Sequence, residues 1–315
     1  MFYNSLGTSG LRVSRLCFGS LTIGPLQAGL SISAGASVIR RALELGVNFI
    51  DTAQCYDNYA YIRHALKGWP HRVIVASKSY DYTREGMARS LEEARREMDL
   101  ELIDIFLLHQ QETALTIAGH RPALEYLLEA KEKGLVRAVG ISTHAVAAAR
   151  AAAVMPEIDV IHPLYNQAGL GIIDGSREDM LAAITLAHNN GKGIYLMKAL
   201  GGGHLATKAR QSLQFALATP GVAAVAVGMQ SLAEVETNVA WFSGREPSPE
   251  LLAQVEGKKR RLHIGDDCQG CGNCLDRCSQ GALQLVDGRV RVNEELCILC
   301  GYCAGVCQDF CLKVI

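Results

Sequence analysis

A net field of either sign is missing from this chain: 31 Lys and Arg stand against 32 Asp and Glu, a formal charge of -1 over 315 residues. That balance offers no global attraction for nucleic acid or an anionic membrane. Long apolar runs are missing too, none approaching the roughly 20 residues that cross a bilayer. The opening MFYNSLGTSGLRVS lacks the basic-then-apolar order of a signal peptide, so a cytoplasmic setting is expected. Aromatics supply only 6% of a composition that is 49% hydrophobic, which suits an aliphatic α/β interior. Cysteine is nearly absent before position 268, where only Cys17 and Cys55 occur. The other nine of the 11 cysteines crowd the C-terminal end, and without an export signal they point to metal rather than disulfides.

What is present is an alternation of short apolar runs with longer amphipathic stretches. The runs predict eight strands: LCFG near Leu16, VNFID to Asp51, RVIVASK to Lys78, IDIFLLH to His109, VRAVGIS near Val139, DVIHP near Val160, GIYLMK to Lys198 and VAAVAVG to Gly228. Between them, segments such as REGMARSLEEARREM and SREDMLAAITLAHNNG have helical period. Eight strands alternating with helices imply a parallel sheet closed into a (β/α)8 TIM barrel. The preceding FYNSLGTSGLRVS reads as a β-hairpin plugging the barrel bottom. SGREPSPE, from Ser243, has the composition of a boundary. The expected organisation is therefore a barrel over 1–249, a linker helix over 250–262 and a small α+β, cysteine-rich domain over 263–315. The KKRR run, from Lys258, reads either as a solvated helix end or as a docking patch for an acidic carrier.

In such a barrel, side chains at the C-terminal strand ends face the active-site mouth. Asp51, Lys78 and His109 occupy such ends, and Tyr56 follows Asp51 by five residues. Each alone is ordinary; together they fit one mechanism. A free tyrosine titrates near pH 10. A neighbouring lysine cation favours its phenolate, an aspartate holds that lysine in place, and a histidine can orient a substrate carbonyl. The motifs DTAQCY, ASK and LLH, with YNSLGTSGLRVSRLCFG, RALELGVNFIDTAQCY and GLVRAVGIS, resemble the aldo-keto reductase superfamily over roughly 1–241.

That resemblance implies a carbonyl–alcohol oxidoreductase using a nicotinamide cofactor. Tyr56 would be its general acid/base, Lys78 and Asp51 the tuning pair, and His109 the carbonyl-orienting residue. It also implies cofactor positions. Ser142 matches the family serine of the Gly-Val-Ser-Asn motif, with Thr143 in place of the asparagine. His162 stands where the family often has glutamine, with Asn166 a neighbouring candidate. MKALGGG resembles the phosphate-binding stretch, with Lys198 and Gly201, Gly202 and Gly203 able to approach a pyrophosphate. In GMQSLAEVETN, which supplies Glu234 and Asn238, Glu234 replaces an arginine usual in NADP-preferring members. A carboxylate there tilts the expectation to NAD(H) over NADP(H).

The tail carries C-x2-C-x2-C-x3-C twice, at Cys268, Cys271, Cys274, Cys278 and again at Cys297, Cys300, Cys303, Cys307. The doubled spacing looks like a bacterial ferredoxin module with two [4Fe–4S] clusters. By that resemblance the fourth ligands are exchanged: Cys268, Cys271 and Cys274 share a cluster with Cys307, and Cys297, Cys300 and Cys303 share one with Cys278. Ser279 and Gln308 stand where a proline normally follows the fourth cysteine. ALQLVDGRVRVN reads as a hairpin about Asp287-Gly288, and Cys311, Cys17 and Cys55 as packing residues.

The expected function is reduction of an aldehyde or ketone, or oxidation of the alcohol, with the clusters moving electrons. Nicotinamide moves two electrons and each cluster one, so a flavin in the barrel mouth stays open. Two alternatives remain: a ferredoxin-dependent reductase whose clusters feed the barrel site directly, or a non-catalytic electron-carrier subunit. The expected partners are a small carbonyl or alcohol and an electron-carrier protein such as ferredoxin, with neither nucleic acid nor membrane. Purely structural clusters are the bland alternative for so small a domain.

Overall fold

A computed structural model describes residues 1–255, 260–309 and 311–314. Strands β1 (Tyr3–Ser5) and β2 (Arg12–Ser14) form an antiparallel hairpin. The barrel follows as β3 (Leu16–Gly19), β4 (Phe49–Asp51), β5 (Ile74–Ser79), β6 (Ile103–Leu108), β7 (Val136–Thr143), β8 (Val160–Pro163), β9 (Gly193–Leu196) and β10 (Ala224–Gly228). These are the eight runs read from the sequence. They pair in parallel in chain order, and β10 returns to β3 with Val225 opposite Leu16, closing the barrel.

The strands are apolar on both faces because both faces are covered. Outward residues such as Phe18, Ile50 and Phe106 join Ile39, Leu91 and Leu124 of the surrounding helices in one core. Inward residues Phe49, Ile105 and Tyr195 pack with Leu6, Leu11 and Val13 from the hairpin, which seals the bottom as expected. The helix over Arg84–Met98 begins at Thr83, whose side chain accepts from the Gly86 N–H, and Ser176 with Asp179 forms a capping box for Arg177–Asn189. Such caps satisfy donors that the first helical turn leaves free.

The linker is shorter in helix than expected. Pro249–Val255 is helical, whereas Leu262 already belongs to β11 (Leu262–Ile264), too short a run to betray its alternation. Lys258 and Lys259 of the KKRR run lie outside the described residues, while Arg260 stands 3.6 Å from the Glu234 carboxylate. In the tail, β12 (Leu283–Val286) and β13 (Arg289–Val292) form the expected hairpin. Asp287 and Gly288 both take left-handed backbone there (φ 50° and 72°), the reason this dipeptide makes a tight turn. Strand β14 (Leu312–Val314) pairs with β11 and closes a small core around Leu283, Val290 and Leu299. Among the described residues no helix is long and apolar enough to cross a membrane.

Candidate active site and cluster cavities

The ends of β4, β5 and β6 bring the four chemical side chains together. Asp51 is the last residue of β4, and Lys78 lies one residue before the end of β5. Tyr56 comes from the short 3-10 turn Gln54–Tyr56, and His109 follows β6, its N–H donating to the Ser79 carbonyl at 2.9 Å. Lys78 Nζ donates to Asp51 Oδ2 and to the Thr52 carbonyl, both at 2.7 Å. The second carboxylate oxygen of Asp51 accepts from the Tyr195 hydroxyl at 2.8 Å. Lys78 Nζ lies 5.0 Å from the centre of the Tyr56 ring. Tyr56, Lys78, Asp51 and His109 are all buried.

Burial decides their protonation. His109 is pushed well below the usual imidazole range, first by desolvation and then by the Lys78 charge, so it is neutral here. Tyr56 moves opposite to the expectation. Desolvation, with the Asp51 charge second, raises it well above the ordinary phenol value, so burial outweighs the nearby Lys78 cation in this closed arrangement. Tyr56 is thus held as the protonated phenol, a donor. Cys55, beside it, has its thiol 3.8 Å from His109 Nδ1 and is pushed up to about 11 by burial. Cys17 is a buried packing residue.

At Tyr56 and His109 the tail contributes to this burial. Tyr302, between Cys300 and Cys303, puts its hydroxyl 3.4 Å from the Tyr56 hydroxyl and 3.2 Å from His109 Nε2. Its ring packs with Ala53, Tyr56, Leu21, Leu26, Cys55 and Cys300. Arg277 lies over the rings of both Tyr80 and Tyr302 (4.8 and 5.3 Å), and Tyr80 stacks on His109 at 4.3 Å. None of Tyr302, Arg277, Tyr80 or Tyr195 was singled out from the sequence. Only Tyr195 had a signal there: a hydroxyl in a fully buried strand needs a partner.

The residues matched to a dinucleotide site are placed around the mouth, with their polar groups already engaged. Ser142 Oγ accepts from the Gln110 N–H at 2.9 Å. Asn166 donates to the Leu170 and Lys198 carbonyls, and its Oδ1 accepts from the Ala168 and Leu170 N–H groups. His162 Nδ1 donates to the Tyr195 carbonyl at 2.7 Å, its ring stacks on Tyr195 at 3.8 Å, and burial lowers it to about 4. Glu234 accepts from the Gln230 N–H at 2.7 Å, and Asn238 donates back to the Glu234 carbonyl. Lys198 has left-handed backbone (φ 56°), and burial lowers its ammonium while Cys300 and Cys297 oppose the shift. Gly201, Gly202 and Gly203 form a short 3-10 turn, and a Cβ on Gly202 would overlap the carbonyl of Ile298 from the tail.

The cysteines surround two cavities. One is lined by Cys268, Cys271, Cys274 and Cys307, with Cys311 beside them; the other by Cys278, Cys297, Cys300 and Cys303. These are the two exchanged sets of the ferredoxin pattern. Among the described residues no three potential ligands converge closely enough for a single ion. Thiolates spread around a void suit a multi-iron cluster better than one tetrahedral zinc, whose sulfurs would sit about 2.3 Å from a common centre. The donor sets therefore fit [4Fe–4S] clusters.

Comparison with known proteins agrees with both halves. The aldo/keto reductase family model matches residues 15–213, and a 4Fe-4S dicluster domain matches 261–308. An L-galactose dehydrogenase of Arabidopsis thaliana is 25% identical over 309 residues, spanning 80% of this chain and 92% of that protein. A methylglyoxal reductase of Escherichia coli O157:H7 is 32% identical over 115 residues, 35% of this chain and 43% of that one. A solved Pseudomonas aeruginosa structure assigned to the aldo-keto reductases superposes with a TM-score of 0.66 at 26% identity, covering 77% of this chain and 94% of the other. One from Bacillus halodurans, at 22% identity and a TM-score of 0.65 over 81% and 95%, shares the fold. The chain belongs to the aldo/keto reductase family of oxidoreductases and carries a 4Fe-4S dicluster domain behind the barrel.

Proposed function

We propose that this protein interconverts a small carbonyl compound and its alcohol at the barrel mouth, with electrons entering through the tail. The observation that carries the reading is Tyr302: two residues after Cys300 and one before Cys303, its hydroxyl reaches both Tyr56 and His109. The point between those two side chains is where a carbonyl oxygen accepts a proton in a Tyr/His site, so a substrate oxygen would replace the Tyr302 hydroxyl there. Reduction of a carbonyl takes two electrons and two protons. The clusters, when bound by the two sets of four cysteines, supply one electron each from a reduced carrier of ferredoxin type. Tyr56, protonated in its buried state, delivers the proton to oxygen, and the second proton, which goes to carbon, comes from water admitted with the substrate. Lys78, fixed by Asp51, compensates the phenolate that results, and neutral His109 orients the oxygen.

The test is anaerobic reduction of a carbonyl panel by reduced ferredoxin. Tyr56→Phe is expected to lower kcat by at least about 100-fold, the usual scale of a positioned proton donor. Turnover that persists in Tyr56→Phe refutes the assignment. A second reading, hydride transfer from a nicotinamide, is favoured by the intact Asp51/Tyr56/Lys78/His109 set and by the dehydrogenase and reductase names of the relatives. It requires the tail to leave the mouth, and NADH oxidation by the same panel would support it.

A further inference from the structure

We infer that residues 297–303 of the tail and a nicotinamide dinucleotide are mutually exclusive occupants of the barrel mouth. Four separate parts of the rim hold that segment. Behind β3, Gln27 Nε2 donates to the Leu299 carbonyl at 3.0 Å, and Gly301 sits so close to the Leu26 carbonyl that a Cβ would overlap it. Behind β8, a Cβ on Gly171 would lie 3.2 Å from the Ile298 side chain. Behind β9, the Gly201–Gly203 turn meets the Ile298 backbone, and His204 Nε2 donates to the Cys297 carbonyl at 2.6 Å. At the centre, Tyr302 fills the space between Tyr56 and His109.

The glycine turn is the part of the rim where a pyrophosphate would have to approach the backbone, and the Tyr56–His109 gap is where a nicotinamide ring would deliver to a substrate. A single docked segment covers both. Two polar side chains matched to the cofactor site, Ser142 and Asn166, are engaged within the barrel. A dinucleotide therefore does not fit the docked arrangement, and the barrel accepts one only after 297–303 withdraws. This exclusion rests on the docked geometry. It shares with the proposed function the placing of the substrate oxygen between Tyr56 and His109, and does not depend on where the electrons come from.

The experiment titrates the anaerobic holoprotein with NADH and with NADPH by equilibrium dialysis, and follows hydrogen–deuterium exchange across 297–303 in parallel. The wild-type protein should show either no saturable binding to millimolar dinucleotide, or binding accompanied by loss of protection in that segment. Gln27→Ala removes one tether, and about a fivefold gain in dinucleotide affinity is expected from one lost hydrogen bond. Tyr302→Ala empties the centre, with a gain of tenfold or more. A variant that stays protected and does not bind agrees with the exclusion. A variant that has lost protection and still binds neither dinucleotide overturns it. So does saturable binding to the wild type with protection of 297–303 unchanged. Because no turnover is measured, the result stands apart from the carbonyl assay.

Discussion

The Lys78–Asp51 pair makes the sharpest demand on the barrel. Its nitrogen–oxygen distance is 2.7 Å, and the two side chains are only 1% and 6% exposed. Lys78→Met removes the cation and leaves the Asp51 carboxylate enclosed, with the Tyr195 hydroxyl as its remaining close donor. Breaking a buried pair from one side costs about 3–5 kcal/mol, because the surviving charge stays buried without compensation. Asp51→Leu strands the ammonium on the Thr52 carbonyl and should cost a similar amount. The double variant Lys78→Met/Asp51→Leu removes both charges. It keeps only the smaller penalty of an unpartnered Tyr195 hydroxyl, about 1–3 kcal/mol. The coupling between the two sites is therefore expected to be about 3 kcal/mol or more. Both tryptophans, Trp69 and Trp241, lie in the barrel, so urea unfolding followed by their fluorescence reports on the barrel itself. The reasoning fails if Lys78→Met costs less than about 1 kcal/mol, or if the double variant loses the sum of the two singles.

Acid should weaken the barrel through its buried histidines. Burial lowers His144 to about 3 and His162 to about 4, against about 6.5 in the unfolded chain. Below pH 6.5 the unfolded state binds protons that the native state refuses, so stability present above that pH is lost as pH falls towards 4 and then 3. At pH 5 the loss is about 2 kcal/mol per histidine, and a urea midpoint that stays level between pH 7 and 5 would contradict it. Gly202→Ala, at φ 72° and against the Ile298 carbonyl, should lift the tail from the rim and raise amide exchange across 297–303; unchanged protection would speak against the docked contact. Cys278→Ala and Cys300→Ala should lose the same cluster, and Cys307→Ala the other. Each would lower iron by about four atoms, with the surviving electron-spin resonance signal shared by the first two variants only.

How much of this was legible follows from where the information resides. The eight strands stood out because parallel strands covered on both faces become nearly continuous apolar runs, as in AVAV of β10. The tetrad stood out because a charged or polar residue at the end of such a run has one place to go, the mouth. The cysteine sets were readable from spacing alone. Tyr302 was not, because a loop laid across another domain leaves no period in the chain. The direction of Tyr56 was misjudged for the same reason: Lys78 was visible beside it, while Tyr302, which covers it, stands 246 positions away. Asn166 looked like a cofactor ligand by position, while its four hydrogen bonds to a local turn and to the Lys198 carbonyl depend on loop shape. The three-residue β11 was too brief to separate from the basic run before it.

The Tyr302 contact also changes what cutting this chain would mean. In sequence the two modules part at a proline- and glycine-containing stretch after Phe242, an inviting place for a truncation. In space the seam passes between Tyr302 and Tyr56, through the proposed site. A barrel ended at that stretch would present Leu21, Leu26 and Ala53 to water around its tetrad. A tail expressed alone would carry a bare tyrosine and the Leu299 and Cys297 carbonyls that Gln27 and His204 now cap. Neither fragment would be a simpler version of the whole, and the halves cannot be exchanged with those of other fusions unless the rim travels with the loop.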